Sequence, residues 1–346
     1  VGKVMHKIVN KLFFLSLPFF IIGCENLRLN PISPSNSSFR KSPEVWIHPN
    51  LGSADYLKMF TPEGENEWPQ SRDIISTFQF HQGNLISNCL TCEVNTYDKL
   101  IENRVFEKVN GWGKMISFEA GAFKYHGGIC AQSVSYLIND ALNAISTVRA
   151  GGGSVSYISM DEPFVAGLEC NFSEDKTAEL VKDFIRAMPV QVGLTEAYPT
   201  FGPEEMKKNI EALERVGIKL PFVHLDVDRY ATQRPGNSSS NANGYNVNKD
   251  LREMRQFLRQ KGIVMGIIIW GEDGNSSEGF SADAILMSRQ MLNALGSDVD
   301  RLIFESWSPY LPSYPVDKRI FPLNLPETEP GTLTNLVLTE SRRYGR

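Results

Sequence analysis

Pro203-Glu204-Glu205-Met206-Lys207-Lys208-Asn209-Ile210-Glu211-Ala212-Leu213-Glu214-Arg215-Val216-Gly217, followed closely by Phe222-Val223-His224-Leu225-Asp226-Val227-Asp228, is one repeat of the pattern that decides the fold. Its first half reads as a helix. Proline stands at the first turn, Met206, Ile210 and Leu213 fall on one face, and glycine closes the end. The second half alternates as a strand, with His224, Asp226 and Asp228 on one face and Val223, Leu225 and Val227 on the other. The apolar face suits a layer of helices, and the polar face must look elsewhere.

Working outward, the same alternation of short apolar runs with helical patterns recurs from Pro43 onward. The predicted strands are Val45 to His48, Ile75 to Phe80, Lys114 to Glu119, Val155 to Met160, Val190 to Tyr198, Phe222 to Asp228, Ile263 to Trp270 and Leu302 to Trp307. Gly151-Gly152-Gly153 ends a helix before the fourth strand, and Asn248 and Ser281 are expected to cap the helices after the sixth and seventh. Eight such units in about 300 residues close as a barrel or spread as a doubly wound sheet. The sheet would carry a Gly-rich phosphate loop after its first strand, and His48-Pro49-Asn50-Leu51-Gly52-Ser53 is not one. The expectation is a single (β/α)8 TIM-type barrel over residues 43–346, with Thr232 to Asn246 as an insertion and no cofactor.

Residues 1–24 break this pattern. Lys3, His6, Lys7 and Lys11 precede the apolar run Leu12 to Cys24, which is short for a bilayer span of about 20 residues and reads as a secretory signal. Its end, Ile21-Ile22-Gly23-Cys24, resembles the bacterial lipobox, which implies a lipid anchor through Cys24. Residues 25–42, rich in Asn, Ser and Pro, read as a tether. The expected location is outside the cytoplasm, lipid-anchored to the cell envelope or secreted. That compartment permits disulfides; Cys89 and Cys92 suit a local one, and Cys130 and Cys170 fall in consecutive loops that could pair. A formal charge of -5 offers no basic field for a phosphate backbone, so nucleic acid is not expected as a partner.

Polar residues accumulate at the C-terminal ends of the predicted strands, where barrel enzymes place their sites. They are His48, Glu119, Glu196 with Tyr198, Asp226 with Asp228, and Glu305 with Trp307. The sharpest motif is Ser159-Met160-Asp161-Glu162-Pro163. It resembles the Asn-Glu-Pro element of retaining clan-A glycoside hydrolases, and the resemblance makes Glu162 the general acid/base. Asp161 replaces the asparagine that in the clan donates to the sugar 2-hydroxyl, and an aspartate donates only when protonated. The clan takes its nucleophile from strand seven, so Ile269-Trp270-Gly271-Glu272-Asp273 makes Glu272 the matching residue, with Glu305 in reserve. Trp307 matches an aromatic residue at the end of strand eight. The resemblance spans strands four to eight and implies a carbohydrate substrate. His48, Asp161, Glu196, Tyr198, Asp226 and Asp228 would position the sugar, and Trp270 and Trp307 would be stacking walls.

Two carboxylates suit this chemistry because one must deliver a proton while the other stays ionised. Retaining enzymes hold the pair about 5 to 5.5 Å apart and inverting enzymes about 6.5 to 9.5 Å. Two other classes fit the same residues. Glu119, Asp161, Glu162, His224, Asp226 and Asp228 could bind a divalent cation in a metal-dependent barrel hydrolase or isomerase, although HxH and HExxH are missing and histidines number five. A surface lipoprotein that binds glycan without cutting it is the third. His224 reads more readily as a core histidine than as a ligand.

Overall fold

The computed structural model describes residues 42–86, 97–121, 123, 130, 133–229, 246–271, 276–306 and 321–345. Eight parallel strands close into a barrel in chain order: β1 (Glu44–His48), β2 (Thr77–His81), β3 (Met115–Ala120), β4 (Val155–Asp161), β5 (Gln191–Tyr198), β6 (Phe222–Val227), β7 (Val264–Ile269) and β8 (Arg301–Glu305). The predicted (β/α)8 barrel is the fold. Closure comes from β1 pairing with β8 in a register that runs from Glu44 beside Arg301 to His48 beside Glu305. Strand ends differ from the expected ones by one or two residues; β8 stops at Glu305, short of Trp307.

Around the sheet lie α1 (Pro62–Glu65), α2 (Pro69–Ile74), α3 (Tyr97–Glu102), α4 (Val105–Gly111), α5 (Ser135–Ala150), α6 (Pro163–Glu169), α7 (Glu174–Ala187), α8 (Pro203–Arg215), α9 (Val247–Lys261), α10 (Ser277–Leu295) and α11 (Leu333–Arg343). Met206, Ile210 and Leu213 of α8 are buried, and Gly217 takes φ +82°, which only glycine adopts freely. Two caps differ from expectation because their helices start earlier. Asn246, not Asn248, accepts from Lys249 N at 3.1 Å, and Ser276, not Ser281, accepts from Gly279 N at 3.0 Å. No helix among the described residues is long and apolar enough to cross a membrane.

The N-terminal half of the barrel interior is filled by large side chains. Trp46 stacks on Tyr157 at 5.4 Å between ring centroids, and the Arg301 guanidinium lies 4.0 Å from the Trp46 ring centroid. Arg301 pairs with Glu44 at 2.9 Å and donates to His224 Nε2, also at 2.9 Å. Burial, and then Arg301, hold the His224 imidazole well below its usual range, so it is a neutral acceptor in the core. Small residues on β5 and β7 make room: a Cβ on Gly193 would meet the Phe222 ring at 2.4 Å, and one on Gly266 would meet His224 at 2.6 Å. This plug is the floor of the mouth described next.

Outside the ladder, Cys130 and Cys170 form a disulfide with Cα atoms 5.6 Å apart, tying the β3–α5 connection to the end of α6. Cys24, Cys89, Cys92 and residues 1–41 lie outside the described residues.

Candidate active site at the barrel mouth

Pro163 cannot continue a strand ladder, and its ring presets the first turn of α6. Glu162, immediately before it, is turned into the left-handed region with φ 42° and ψ 48°. Its N–H donates to Thr195 O of β5 at 2.9 Å, and its carbonyl accepts from Ala166 N of α6 at 2.9 Å. Sheet and helix thus both grip this one residue. A left-handed glutamate costs about 1 to 2 kcal/mol, a strain that concentrates where a side chain must be aimed.

Around Glu162 four more carboxylates crowd the C-terminal end of the barrel: Glu119 of β3, Asp161 of β4, Asp226 of β6 and Glu305 of β8. All five sit within electrostatic reach. Burial pushes the Asp226 carboxyl well above the carboxylate range, and Glu162 and then Glu305 push it further, against a 2.6 Å hydrogen bond donated by Trp270 Nε1. Burial likewise raises Glu119, with Glu305 the largest charge on it, and Thr195 Oγ1 donates to it at 3.1 Å. Asp161 is raised by burial, then by Glu119 and Glu162. Burial pushes Glu305 up to about 8. Among the described residues no lysine or arginine pairs with Glu119, Asp161, Asp226 or Glu305; the partner of Glu305 is His48, whose Nδ1 is 3.2 Å from Oε1.

Neutral polar groups support this layer from below. Ser159 Oγ lies 2.7 Å from Thr195 Oγ1, which in turn donates to Glu119. Ser117 donates to Gln79 Oε1 at 3.3 Å, and Gln79 Nε2 lies 3.3 Å from His48 Nδ1. Burial drives His48 down to about 3, so its ring is neutral. Donor atoms of His48, Glu119 and Glu305 lie within 4.8 Å of one another.

The structure therefore brings together His48, Glu119, Asp161, Glu162, Asp226 and Glu305 of the residues singled out in the sequence. Asp228, just past β6, is exposed at the rim, where its N–H donates to Tyr198 O. Two expectations fail on β5. Glu196 and Tyr198 share the face of Val192 and Leu194, which packs on helices, while Gly193 and Thr195 face inward. Glu196, fully buried, accepts from Phe164 N at the start of α6 at 2.8 Å, and Tyr198 donates to Asp250 of α9 at 2.8 Å. Neither can touch a sugar. Trp270 is only 5% exposed, so it offers an N–H to Asp226 rather than a wall for stacking. His224, considered as a cation ligand, lies in the floor against Arg301. Glu272 and Trp307 lie outside the described residues. Gln79 and Thr195 were missed; the signal was their inward register beside Ser117 and Ser159.

The sequence matches no protein-family model and no curated protein. Solved structures that resemble the chain include a GH10 endoxylanase retrieved from a sugarcane soil metagenome, with 10% identity over 87% of this chain and 97% of that one, at a TM-score of 0.49. Xylanase XynB from Paenibacillus barcinonensis shares 13% identity over 86% of this chain and 95% of that one, at 0.48. A dihydrodipicolinate synthase family protein from Coccidioides immitis shares 11% identity over 76% of this chain and 67% of that one, at 0.42. One barrel hosts many chemistries, so function is read from the side chains of the mouth.

Proposed function

We propose that the chain is a glycoside hydrolase acting on an extracytoplasmic polysaccharide or glycan, exported and anchored through Cys24. The observation that supports this best is the convergence of Glu162 with acids of β3, β4 and β6: its charge bears on Glu119, Asp161 and Asp226 alike. Glu162 gives its proton to the glycosidic oxygen as the bond from the anomeric carbon breaks, and the bonding pair leaves with that oxygen. Positive charge then grows on the sugar ring, where the one ionised carboxylate of the catalytic pair stabilises it. Glu272, which follows β7 in the sequence, is the matching nucleophile or stabiliser, and water, giving a proton back to Glu162, forms the new bond to the anomeric carbon. Trp270 fixes Asp226 for contact with the substrate. Asp161, raised by burial and by neighbouring acids, keeps a proton and can donate to a sugar hydroxyl as an asparagine would.

The test is hydrolysis of a panel of plant, bacterial and animal glycans by the purified chain and by Glu162→Gln. The variant should fold and lose roughly 10²- to 10⁴-fold in kcat, the usual contribution of a general acid. Absence of hydrolysis across the panel by folded wild-type protein, or an undiminished variant, would refute the reading.

A further inference from the structure

We infer that His48, Glu119 and Glu305 form a binding site for one divalent transition-metal cation, Zn²⁺ or Mn²⁺, at the base of the mouth. One imidazole with two carboxylates is a donor set suited to such ions. The barrel register supplies it, because His48 is the β-ladder partner of Glu305, and Glu119 is the penultimate residue of β3, beyond the single intervening strand β2. All three are buried, and each offers a ligand atom within 4.8 Å of the other two. His48 Nδ1 and Glu305 Oε1 are already 3.2 Å apart. Neighbouring ligands at about 2.0 to 2.2 Å from a tetrahedral ion stand about 3.3 to 3.6 Å apart.

A second observation points to the ion independently of the spacing. Ser117 donates to Gln79 Oε1, so the Gln79 amide presents its N–H to His48 Nδ1, which must accept. The same nitrogen also faces Glu305 Oε1. Glu305 Oε1 can meet that lone pair only through a proton of its own or through a bridging cation, and no lysine or arginine pairs with Glu119 or Glu305 among the described residues. Neutral partners hold the set in the way outer-shell groups hold metal ligands: Gln79 on His48, and Thr195, backed by Ser159, on Glu119. An ion there would cancel the charge of two acids in the crowded mouth.

The inference goes beyond the hydrolase reading, and its test reads binding rather than activity. The full chain, stripped with chelator, is dialysed against Zn²⁺ or Mn²⁺ alone and the bound metal is counted. One ion per chain is expected, with affinity reduced more than about 100-fold in Glu119→Gln and in Glu305→Gln, since even outer-shell partners are worth 10- to 100-fold. Asp98→Asn, at an exposed carboxylate on α3, should bind as wild type. Pulsed electron paramagnetic resonance of Mn²⁺ on the wild-type chain should show coupling to one imidazole nitrogen, lost in His48→Asn; this reading stands even where a glutamine variant fails to fold. Lack of stoichiometric uptake, lack of nitrogen coupling, or binding that survives the Glu119→Gln/Glu305→Gln double substitution would overturn the site.

Discussion

Replacing Glu305 by glutamine in the chelator-treated protein tests how crowded with charge the mouth is. Glu305 is 9% exposed, and burial holds its carboxyl at about 8 against an ordinary 4.5. The unfolded chain ionises there near pH 4.5. Between those two values the folded state keeps a proton that the unfolded state has lost, so stability falls as pH rises, at about 1.4 kcal/mol per pH unit. Ionisation is complete above pH 8, by which point the accumulated loss is about 5 kcal/mol. Glutamine carries no such charge. The unfolding free energy of Glu305→Gln minus that of wild type should therefore be level below pH 4.5, climb to about 5 kcal/mol by pH 8 and then level off. His48 acts on the other side. With its folded pKa pushed down to about 3, the unfolded chain binds a proton that the folded state refuses, and stability is lost as pH falls from 6.5 towards 3. These two slopes oppose each other between pH 4.5 and 6.5, while the raised Glu119, Asp161 and Asp226 add to the loss of wild-type stability as pH rises. Urea unfolding followed by tryptophan fluorescence across this range supplies both curves. A difference curve that stays level from about pH 4 to about pH 9 would refute the reasoning.

Three further outcomes follow from named contacts. Trp270→Phe removes the 2.6 Å hydrogen bond to Asp226; a bond to a neutral group is worth about 0.5 to 1.5 kcal/mol, so kcat/KM on the identified glycan should drop roughly 2- to 13-fold with the fold intact. Tyr198→Phe should cost about 1 kcal/mol of stability through loss of Asp250 while leaving KM unchanged, as befits the outer face; a raised KM would return Tyr198 to the substrate. Reducing the Cys130–Cys170 bond, which spans 40 residues, should lower unfolding free energy by about 4 kcal/mol at most, measured by urea titration with and without reductant.

The barrel was legible in the sequence because its helix and strand periods alternate without interruption, as in α8 followed by β6. On β6 the polar and apolar faces were both read correctly: Val223, Leu225 and Val227 pack outward while His224 and Asp226 face inward. On β5 the presence of a glutamate and a tyrosine outweighed the pattern. Val192 and Leu194 lie on their face, and that pairing was the better guide, because a buried carboxylate can spend itself on a helix N-terminus. The floor was not legible. Arg301 reads as the edge of a strand, and only closure of the barrel puts it over Trp46 and beside His224. The grouping of His48 with Glu119 and Glu305 was hidden for the same reason: it depends on β8 meeting β1, a contact between opposite ends of the chain.

The central claim is that Glu162 supplies the proton to the leaving group. Glu162→Gln should be compared with wild type on two glycosides of the same sugar, one with an alkyl or sugar leaving group and one with a dinitrophenolate that departs without protonation. The account predicts a severe loss on the first and near wild-type bond cleavage on the second. Equal losses on both, or none on either, would contradict it.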